Sequence, residues 1–170
     1  INISPFAGPA GTRISVRGGG FGRSEVVRIV FQNQSMGVVR VDRAGGFSTS
    51  FFVSTSASIT PFYNAVRVYG FTTRVGASAN FQVLPSISVS PNAGFPGQVV
   101  QISGEQFTPN GRVDSIMIDT NQTASSVGVP IASYNISSNG VFSVRSRIPS
   151  NVPRRKLYSI LVVDVATGLS

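Results

Sequence analysis

Carboxylates are the only side chains of this 170-residue sequence suited to general acid–base chemistry near neutral pH, because it contains neither histidine nor cysteine. The acids are Glu25, Asp42, Glu105, Asp114, Asp119 and Asp164. Ser-His-Asp and Cys-His nucleophile systems are excluded, as is any imidazole or thiolate metal site. A glycosidase needs two carboxyls facing each other across a cleft, and these acids fall in predicted strands and turns without a cleft-forming insertion. We therefore expect no enzyme, no catalytic residue and no cofactor.

Two short segments have the composition of ligand-binding loops. Asp119–Asn121 offers oxygen atoms to a Ca²⁺ ion, although such a segment is more often a solvated turn. Gly18–Gly22 is rich in glycine but precedes a strand pattern, with no helix N-terminus and no lysine to hold a phosphate. We interpret both segments as turns and predict no metal site.

Asparagine sequons are the remaining candidate sites. They begin at Asn2, Asn33, Asn121 and Asn135, and each would accept a glycan in a source that glycosylates Asn-x-Ser/Thr. We favour Asn33 and Asn121, because they lie at predicted strand ends or loops. Asn2 lies within a predicted strand, and Asn135 lies in a segment flanked by serine.

The charge pattern favours a surface of hydroxyl, amide and arginine groups. Only 12% of the residues are charged and the formal net charge is +8, whereas soluble domains average about 25% charged residues. An excess of basic residues suggests nucleic acid as a partner, but the arginines are spread along the chain. The residues nearest to a cluster are Arg145, Arg147, Arg154, Arg155 and Lys156. We therefore disfavour nucleic acid, and no apolar run approaches the ~20 residues of a membrane span.

The sequence contains an internal repeat. Ile1–Pro5 recurs as Ile87–Pro91, and the same offset of 86 relates Gly11 to Gly97 and Phe21 to Phe107. Gly46-Phe47-Ser48 matches Val141-Phe142-Ser143 at an offset of 95, so we place an insertion between Asp119 and Pro130. Ordered matches of turn and core residues indicate two copies of one structural unit.

Each copy alternates apolar and polar residues, as half-buried strands do. Short strands separated by glycine and proline, without helical spacing, predict an all-β fold of two tandem immunoglobulin-like β-sandwich domains. We assign residues 1–84 to the first domain and 87–170 to the second. Ala77–Val83 is predicted as the last strand of the first, and the second has no counterpart to it. Phe21 and Phe107 are expected at equivalent buried sites, and core packing is expected to account for most of the 12 phenylalanines.

The opening of each copy resembles that of the TIG (transcription-factor immunoglobulin) superfamily. The residues that carry the resemblance in the first copy are Ile3-Ser4-Pro5, Gly8-Pro9-Ala10-Gly11, Ile14-Ser15-Val16 and Gly18-Gly19-Gly20-Phe21. In the second copy they are Val89-Ser90-Pro91, Gly94-Phe95-Pro96-Gly97 and Gly104-Glu105-Gln106-Phe107. Gly46-Phe47-Ser48 is similar to a strand start in bacterial and archaeal surface repeats.

The resemblance implies an extracellular, multi-repeat parent protein on a prokaryotic cell surface, and we expect an archaeal one. The resemblance and the absence of histidine and cysteine together favour a non-catalytic structural module of a surface layer, filament or adhesin stalk. Its partners would be neighbouring domains or copies of the same protein. The last strand of the second copy either lies in a longer protein beyond Ser170, or its place is filled by a donated β-strand. The alternative is a carbohydrate-binding or spacer module of a secreted polysaccharide hydrolase, with surface glycans as ligands. The opening Ile1-Asn2-Ile3 has no initiator Met or signal sequence, which we expect of a mature or excised segment.

Overall fold

The computed structural model describes residues 1–55, 64–119, 129–154, 157–166 and 168, and for residues 116–119 it describes the backbone. Every regular element in these ranges is a β-strand, which confirms the predicted all-β class. None of the described residues belongs to a helix of the length and hydropathy that a membrane crossing requires. The chain divides into two compact units, Ile1–Leu84 and Pro85–Ser170.

Unit 1 is a sandwich of two main sheets. Its strands are β1 (Asn2–Ser4), β2 (Ala7–Gly8), β3 (Arg13–Gly18), β4 (Val26–Phe31), β5 (Gln34–Arg40), β6 (Phe47–Phe52), β7 (Ala65–Gly70), β8 (Gly76–Asn80) and β9 (Gln82–Val83). One sheet has the order β1-β3-β6 and the other the order β5-β4-β7-β8. The short strands β2 and β9 form a separate parallel pair. Three strands packed against four in this order define an immunoglobulin-like topology.

Unit 2 repeats this plan with fewer strands among its described residues. They are β10 (Ser86–Ser90), β11 (Val99–Glu105), β12 (Arg112–Asp119), β13 (Val129–Asn135), β14 (Phe142–Arg147) and β15 (Tyr158–Asp164). The sheets have the orders β10-β11-β14 and β13-β12-β15. In unit 1 the strand equivalent to β15 is β7, and β8 covers its second edge. Among the described residues of unit 2, no strand pairs with that edge of β15.

Alternating apolar residues build both cores. In unit 1, Ile14 and Val16 on β3 point inward and are fully buried, while Arg13 and Ser15 between them point outward. Phe21 and Phe107 are both buried, as predicted. The Phe21 ring packs edge-on against Phe47 at 5.5 Å between ring centroids, and the Phe107 ring packs in the same way against Phe142 at 5.3 Å.

The strand registers confirm the repeat at the level of single residues. Ile3 is paired with Val16 in unit 1, and Val89 with Ile102 in unit 2, so both pairs follow the offset of 86. A bulge between Ile29 and Val30 recurs between Ser115 and Ile116. The predicted insertion lies between two strands, since β12 ends at Asp119 and β13 begins at Val129. The nine residues between them are outside the described ranges.

One glycine in each unit has a conformation that the turn requires. Gly45 has φ +85° and Gly140 has φ +77°, values that L side chains rarely adopt. A Cβ atom on Gly45 would lie 2.6 Å from the carbonyl oxygen of Phe21, and one on Gly140 would lie 2.7 Å from that of Phe107. The carbonyl of each glycine accepts the backbone N–H of the same phenylalanine. These turns therefore fix the chain segment that carries each core ring.

Candidate interaction surfaces

Glu25 is a buried acid whose oxygens are used within unit 1. Its carboxylate accepts the backbone N–H groups of Thr73, Gly22 and Thr72 and the hydroxyl of Thr73, at 2.6 to 3.1 Å. These donors stabilise the charged form, so the backbone N–H of Thr73 above all holds the pKa of Glu25 below its usual value. The carboxylate ties the turn after β7 to the loop before β4, which is a structural role.

Unit 2 also has a carboxylate at this junction, but a different part of the chain supplies it. Asp164, at the end of β15, accepts the backbone N–H of Thr108 at 2.8 Å. Thr108 is the counterpart of Gly22, and Asp164 is the counterpart of Gly70 on β7. Glu25 corresponds to Gly111 at the offset of 86. Of the two aligned positions at this junction, each unit therefore has an acid at one and a glycine at the other. A Cβ atom on Gly70 would lie 2.7 Å from a Glu25 oxygen, so only one acid fits.

Three further acids have local contacts or lie exposed. Asp42 accepts the backbone N–H groups of Ala44 and Gly46 in its own turn. Asp114 accepts the hydroxyl of Ser133 and pairs with Arg112 at 3.3 Å, and these contacts lower its pKa, the Ser133 bond most. Glu105 is exposed at the end of β11. Among the described residues, no three acids come together as a metal site. The side chain of Asp119, with Thr120 and Asn121, lies outside the described part.

The predicted sequons lie on different strands and turns. Asn2 is exposed in β1, and Asn135 is exposed at the end of β13. Asn33 is exposed in the two-residue turn between β4 and β5 with φ +62°, a conformation that asparagine adopts more readily than most residues. Asn121 lies outside the described residues. Glycosylation at all four positions stays a prediction.

The outer face of the three-stranded sheet is polar in both units. In unit 1, the guanidinium of Arg13 donates to the Ser50 hydroxyl at 3.0 and 3.1 Å. In unit 2, Gln101 and Ser103 share the Ser143 hydroxyl at 2.8 Å each. Arg145 and Arg147 lie on β14 beside this network, and the Arg147 guanidinium donates to the Gly97 carbonyl at 2.7 Å. Arg154 is exposed, and Arg155 and Lys156 lie outside the described residues.

The expectation that phenylalanine serves the core is wrong for several residues. Phe6, Phe52, Phe71 and Phe95 are exposed, with between 43% and 76% of their surface accessible. Phe52 follows the buried Phe51 on β6 and points outward because successive side chains of a strand alternate. Phe6, Phe71 and Phe95 lie just outside strands, where alternation gives no indication of burial.

Phe71 belongs to an apolar and cationic patch on the outer face of the four-stranded sheet. We define the Arg28 patch as Val26, Arg28, Val38, Tyr69 and Phe71. Arg28 lies between Val38 and Tyr69 in the strand register, and its guanidinium carbon is 5.1 Å from the centre of the Phe71 ring. Val38 is 61% exposed and Tyr69 is 45% exposed. Aromatic residues and arginine are the types enriched in protein interfaces.

The same positions in unit 2 are mostly polar. Arg28 corresponds to Asp114, Val38 to Ser133 and Val26 to Arg112, as the paired registers show. These three side chains bind one another through the Arg112–Asp114 ion pair and the Ser133 hydroxyl. The fold therefore tolerates a polar surface here, and the apolar character of the Arg28 patch is not a requirement of the scaffold.

Unit 2 has a groove of its own beside β15. The unit 2 groove has a volume of about 580 Å³ and is lined largely by apolar side chains. One wall is the segment Pro91–Pro96, and the other is formed by Leu157, Tyr158 and Ile160. Val100 and Ile148 lie at its base, toward the core.

In unit 1 the equivalent space is filled by the chain itself. The backbone N–H of Gln82 donates to Phe6 and that of Leu84 to Gly8, which are the counterparts of Asn92 and Gly94 in the groove wall. Phe81 is 1% exposed and packs against Phe31 at 5.9 Å between ring centroids. The groove thus lies where unit 1 has β8 and β9.

Comparisons with known proteins found similar solved structures, but no matching family and no matching curated sequence. No family model matches the sequence, and no curated protein matches it. The solved structure of the human OSCAR ligand-binding domain is 12% identical at a TM-score of 0.31, covering 95% of this chain and 96% of that one. A β-glucuronidase from glycoside hydrolase family 2 is 11% identical at a TM-score of 0.27, covering 91% of this chain and 19% of that one. Neither likeness is close enough to bear on function.

The strand order defines the class of this protein. It is an all-β chain of immunoglobulin-like β-sandwich architecture. This fold serves many unrelated functions, so function has to be argued from the surfaces described above.

Proposed function

We propose that this chain is a non-catalytic structural module of an extracellular cell-surface assembly, such as a surface layer, a filament or an adhesin stalk, and that it works through protein–protein packing. We place it among TIG-like repeats of prokaryotic surface proteins, specifically archaeal ones, on the motifs quoted from its sequence. Its partners are neighbouring domains or copies of the same protein.

The Arg28 patch is the observation that carries the proposal. It combines exposed valines with two exposed aromatic rings around one guanidinium, in a chain of low charge. Exposed apolar groups clustered in this way mark contact surfaces. The polar network of Asp114 and Ser133 at the equivalent place in unit 2 supports this, because it indicates that the patch serves something other than folding.

The roles of the described acids agree with a structural module. Glu25 and Asp164 hold the junction before β4 and β12, and Asp42 holds the turn before β6. The pKa of Glu25 is lowered, whereas a general acid at neutral pH needs a pKa raised toward the working pH.

Self-association of the purified chain tests the proposal. Sedimentation equilibrium should detect reversible association with a dissociation constant below about 1 mM. The variant Val38→Ser/Tyr69→Val carries the unit 2 residues at the two patch positions, and it should associate at least tenfold more weakly. Val99→Ser is the matched control, because Val99 is as exposed as Tyr69 but lies outside the patch. Equal association of both variants, or a monomer at every concentration, contradicts the proposal.

The second candidate is a carbohydrate-binding or spacer module of a secreted polysaccharide hydrolase. The exposed rings of Tyr69 and Phe71 favour it, since aromatic faces stack on sugar rings and Arg28 adds a donor group. A glycan array separates the two functions. Binding of a defined glycan that the double variant abolishes, by a chain that stays monomeric, supports the second candidate.

A further inference from the structure

The outer face of the three-stranded sheet in unit 2 is rich in hydroxyl groups. Its outward side chains come from β10, β11 and β14, and we call them the unit 2 polar face. In the strand register they form the rows Ser86–Glu105, Ser88–Ser103–Ser143, Ser90–Gln101–Arg145 and Val99–Arg147. Half of these side chains are serines and none is aromatic. The face can therefore make many hydrogen bonds but offers no ring for stacking.

Arg145 and Arg147 form the positive end of this face. They point the same way because they are two residues apart on β14, which places them about 7 Å apart along the strand. Both are exposed, and neither has an ion-pair partner among the described residues. Glu105 is on the same face, but it lies at the other end of β11 from Val99, about 20 Å from the Val99–Arg147 row. The arginine end of the face therefore carries uncompensated positive charge.

Hydrogen bonds hold the groups around these arginines in place. The Gln101 amide donates to the Ser143 hydroxyl at 2.8 Å, and the Ser103 hydroxyl lies 2.8 Å from the same oxygen. The Arg147 guanidinium donates one N–H to the Gly97 carbonyl at 2.7 Å, which leaves its other N–H groups for a ligand. Side chains that are already fixed lose less conformational entropy when a ligand binds.

We propose that the unit 2 polar face binds an acidic polysaccharide, with Arg145 and Arg147 on its carboxylate or sulfate groups and Gln101 on its hydroxyls. A guanidinium binds such oxyanions through two parallel hydrogen bonds. Sugar hydroxyls both donate and accept hydrogen bonds, as the amide and the serine hydroxyls do. This inference goes beyond the proposed function, because it assigns a glycan site to unit 2, whereas the Arg28 patch lies on unit 1.

Other classes of partner fit this face less well. Proteins bind single-stranded nucleic acid by stacking its bases on aromatic rings, which the unit 2 polar face lacks. A lipid surface needs an apolar anchor, and Val99 is the one apolar side chain in the rows that define the face. Protein interfaces are depleted in serine and enriched in aromatic residues, which is the reverse of this composition. Charge and hydroxyl content together therefore favour a polysaccharide.

Titration calorimetry of the whole chain tests the site with two acidic probes, oligogalacturonate for carboxylates and sulfated dextran for sulfates. At least one should bind with a dissociation constant below about 1 mM, and neutral dextran should not bind. Arg145→Gln/Arg147→Gln should weaken that binding at least tenfold. The matched control, Arg13→Gln/Arg17→Gln, removes the same charge from the equivalent face of unit 1, where the two arginines lie four residues apart on β3. It should weaken binding less than about threefold.

The inference is overturned if neither acidic probe binds, if neutral dextran binds as tightly, or if both double variants weaken binding equally. The last result would mean that the net positive charge of the chain attracts any polyanion. Equal affinity for a DNA oligonucleotide of the same charge would overturn it too. Arg145→Gln alone keeps the contact of Arg147 with Gly97 and should weaken binding at least threefold, and thermal unfolding verifies that each variant is folded. The Arg28 patch is untouched in all arms, so failure here leaves the proposed function standing.

Discussion

Replacing Phe107 or Phe21 by alanine gives a matched pair of perturbations, one in each unit. Each ring is buried and packs edge-on against another phenylalanine at 5.3 or 5.5 Å. A phenylalanine side chain buries about 150–250 Å², which at about 25 cal/mol per Å² is worth roughly 4–6 kcal/mol. Alanine retains part of this, and a cavity remains, so we expect a loss of about 3–5 kcal/mol.

That loss is large for one unit of the chain. Natural domains have about 0.05–0.15 kcal/mol of stability per residue, or roughly 4–13 kcal/mol for a unit of this size. Urea denaturation of the wild type is expected to resolve two transitions, since the chain forms two compact units. Phe107→Ala should move the transition of unit 2 and leave that of unit 1, and Phe21→Ala should do the reverse.

Two results would contradict this prediction. A loss below about 1 kcal/mol for either variant would mean that the ring is not a core residue. Coincident movement of both transitions by a single variant would mean that the two units unfold together. A hydrogen-exchange experiment on each variant identifies which strands lose protection and so assigns each transition to its unit.

Three further outcomes are expected. The pKa of Glu25 is lowered in the folded state, so its charged form stabilises unit 1 at pH values above its unfolded-state pKa near 4.5, and this contribution is lost as the pH falls below that value. Glu25→Gln should therefore make the melting temperature of unit 1 depend less on pH in the acid range, and an unchanged dependence would refute this role. Gly45→Ala and Gly140→Ala should each lower the melting temperature of their own unit, because both glycines have positive φ and a Cβ atom would meet a carbonyl oxygen; thermal unfolding of the two variants checks this, and no change in either would contradict it. Asn33→Gln should remove one glycan from protein made in its natural source, which intact-mass spectrometry measures, and an identical mass shift in both proteins would remove Asn33 from the candidates.

The sequence was sufficient for the scaffold because local patterns determine it. Alternation predicted which side of β3 and β11 faces the core, and glycine and proline predicted that short strands are separated by turns. The offset of 86 predicted that Phe21 and Phe107 occupy equivalent sites, and both are buried. Each of these features depends on neighbours within a few residues or on the repeat itself.

The surfaces could not be predicted, because they depend on strand registers between distant residues. Val38 and Phe71 belong to the same Arg28 patch only because β4 pairs with β5 and because Arg28 contacts the Phe71 ring. The carboxylate at the junction before β4 and β12 is Glu25, in the loop before β4, in unit 1 and Asp164, at the end of β15, in unit 2. The two acids therefore do not align at the offset of 86. The groove beside β15 could not be predicted either, because its walls, Pro91–Pro96 on one side and Leu157, Tyr158 and Ile160 on the other, are distant in the sequence.

Hydroxyl-radical footprinting of the assembly that we propose this chain forms, compared with the dissociated protein, tests packing at the Arg28 patch. Tyr69 and Phe71 are reactive and exposed in the single chain, and Phe52 on the opposite sheet is an internal reference. If the chain works through protein packing at the Arg28 patch, oxidation of Tyr69 and Phe71 should fall several-fold in the assembly relative to the dissociated protein, while that of Phe52 changes less. Equal oxidation of Tyr69 and Phe71 in the two states would contradict the account.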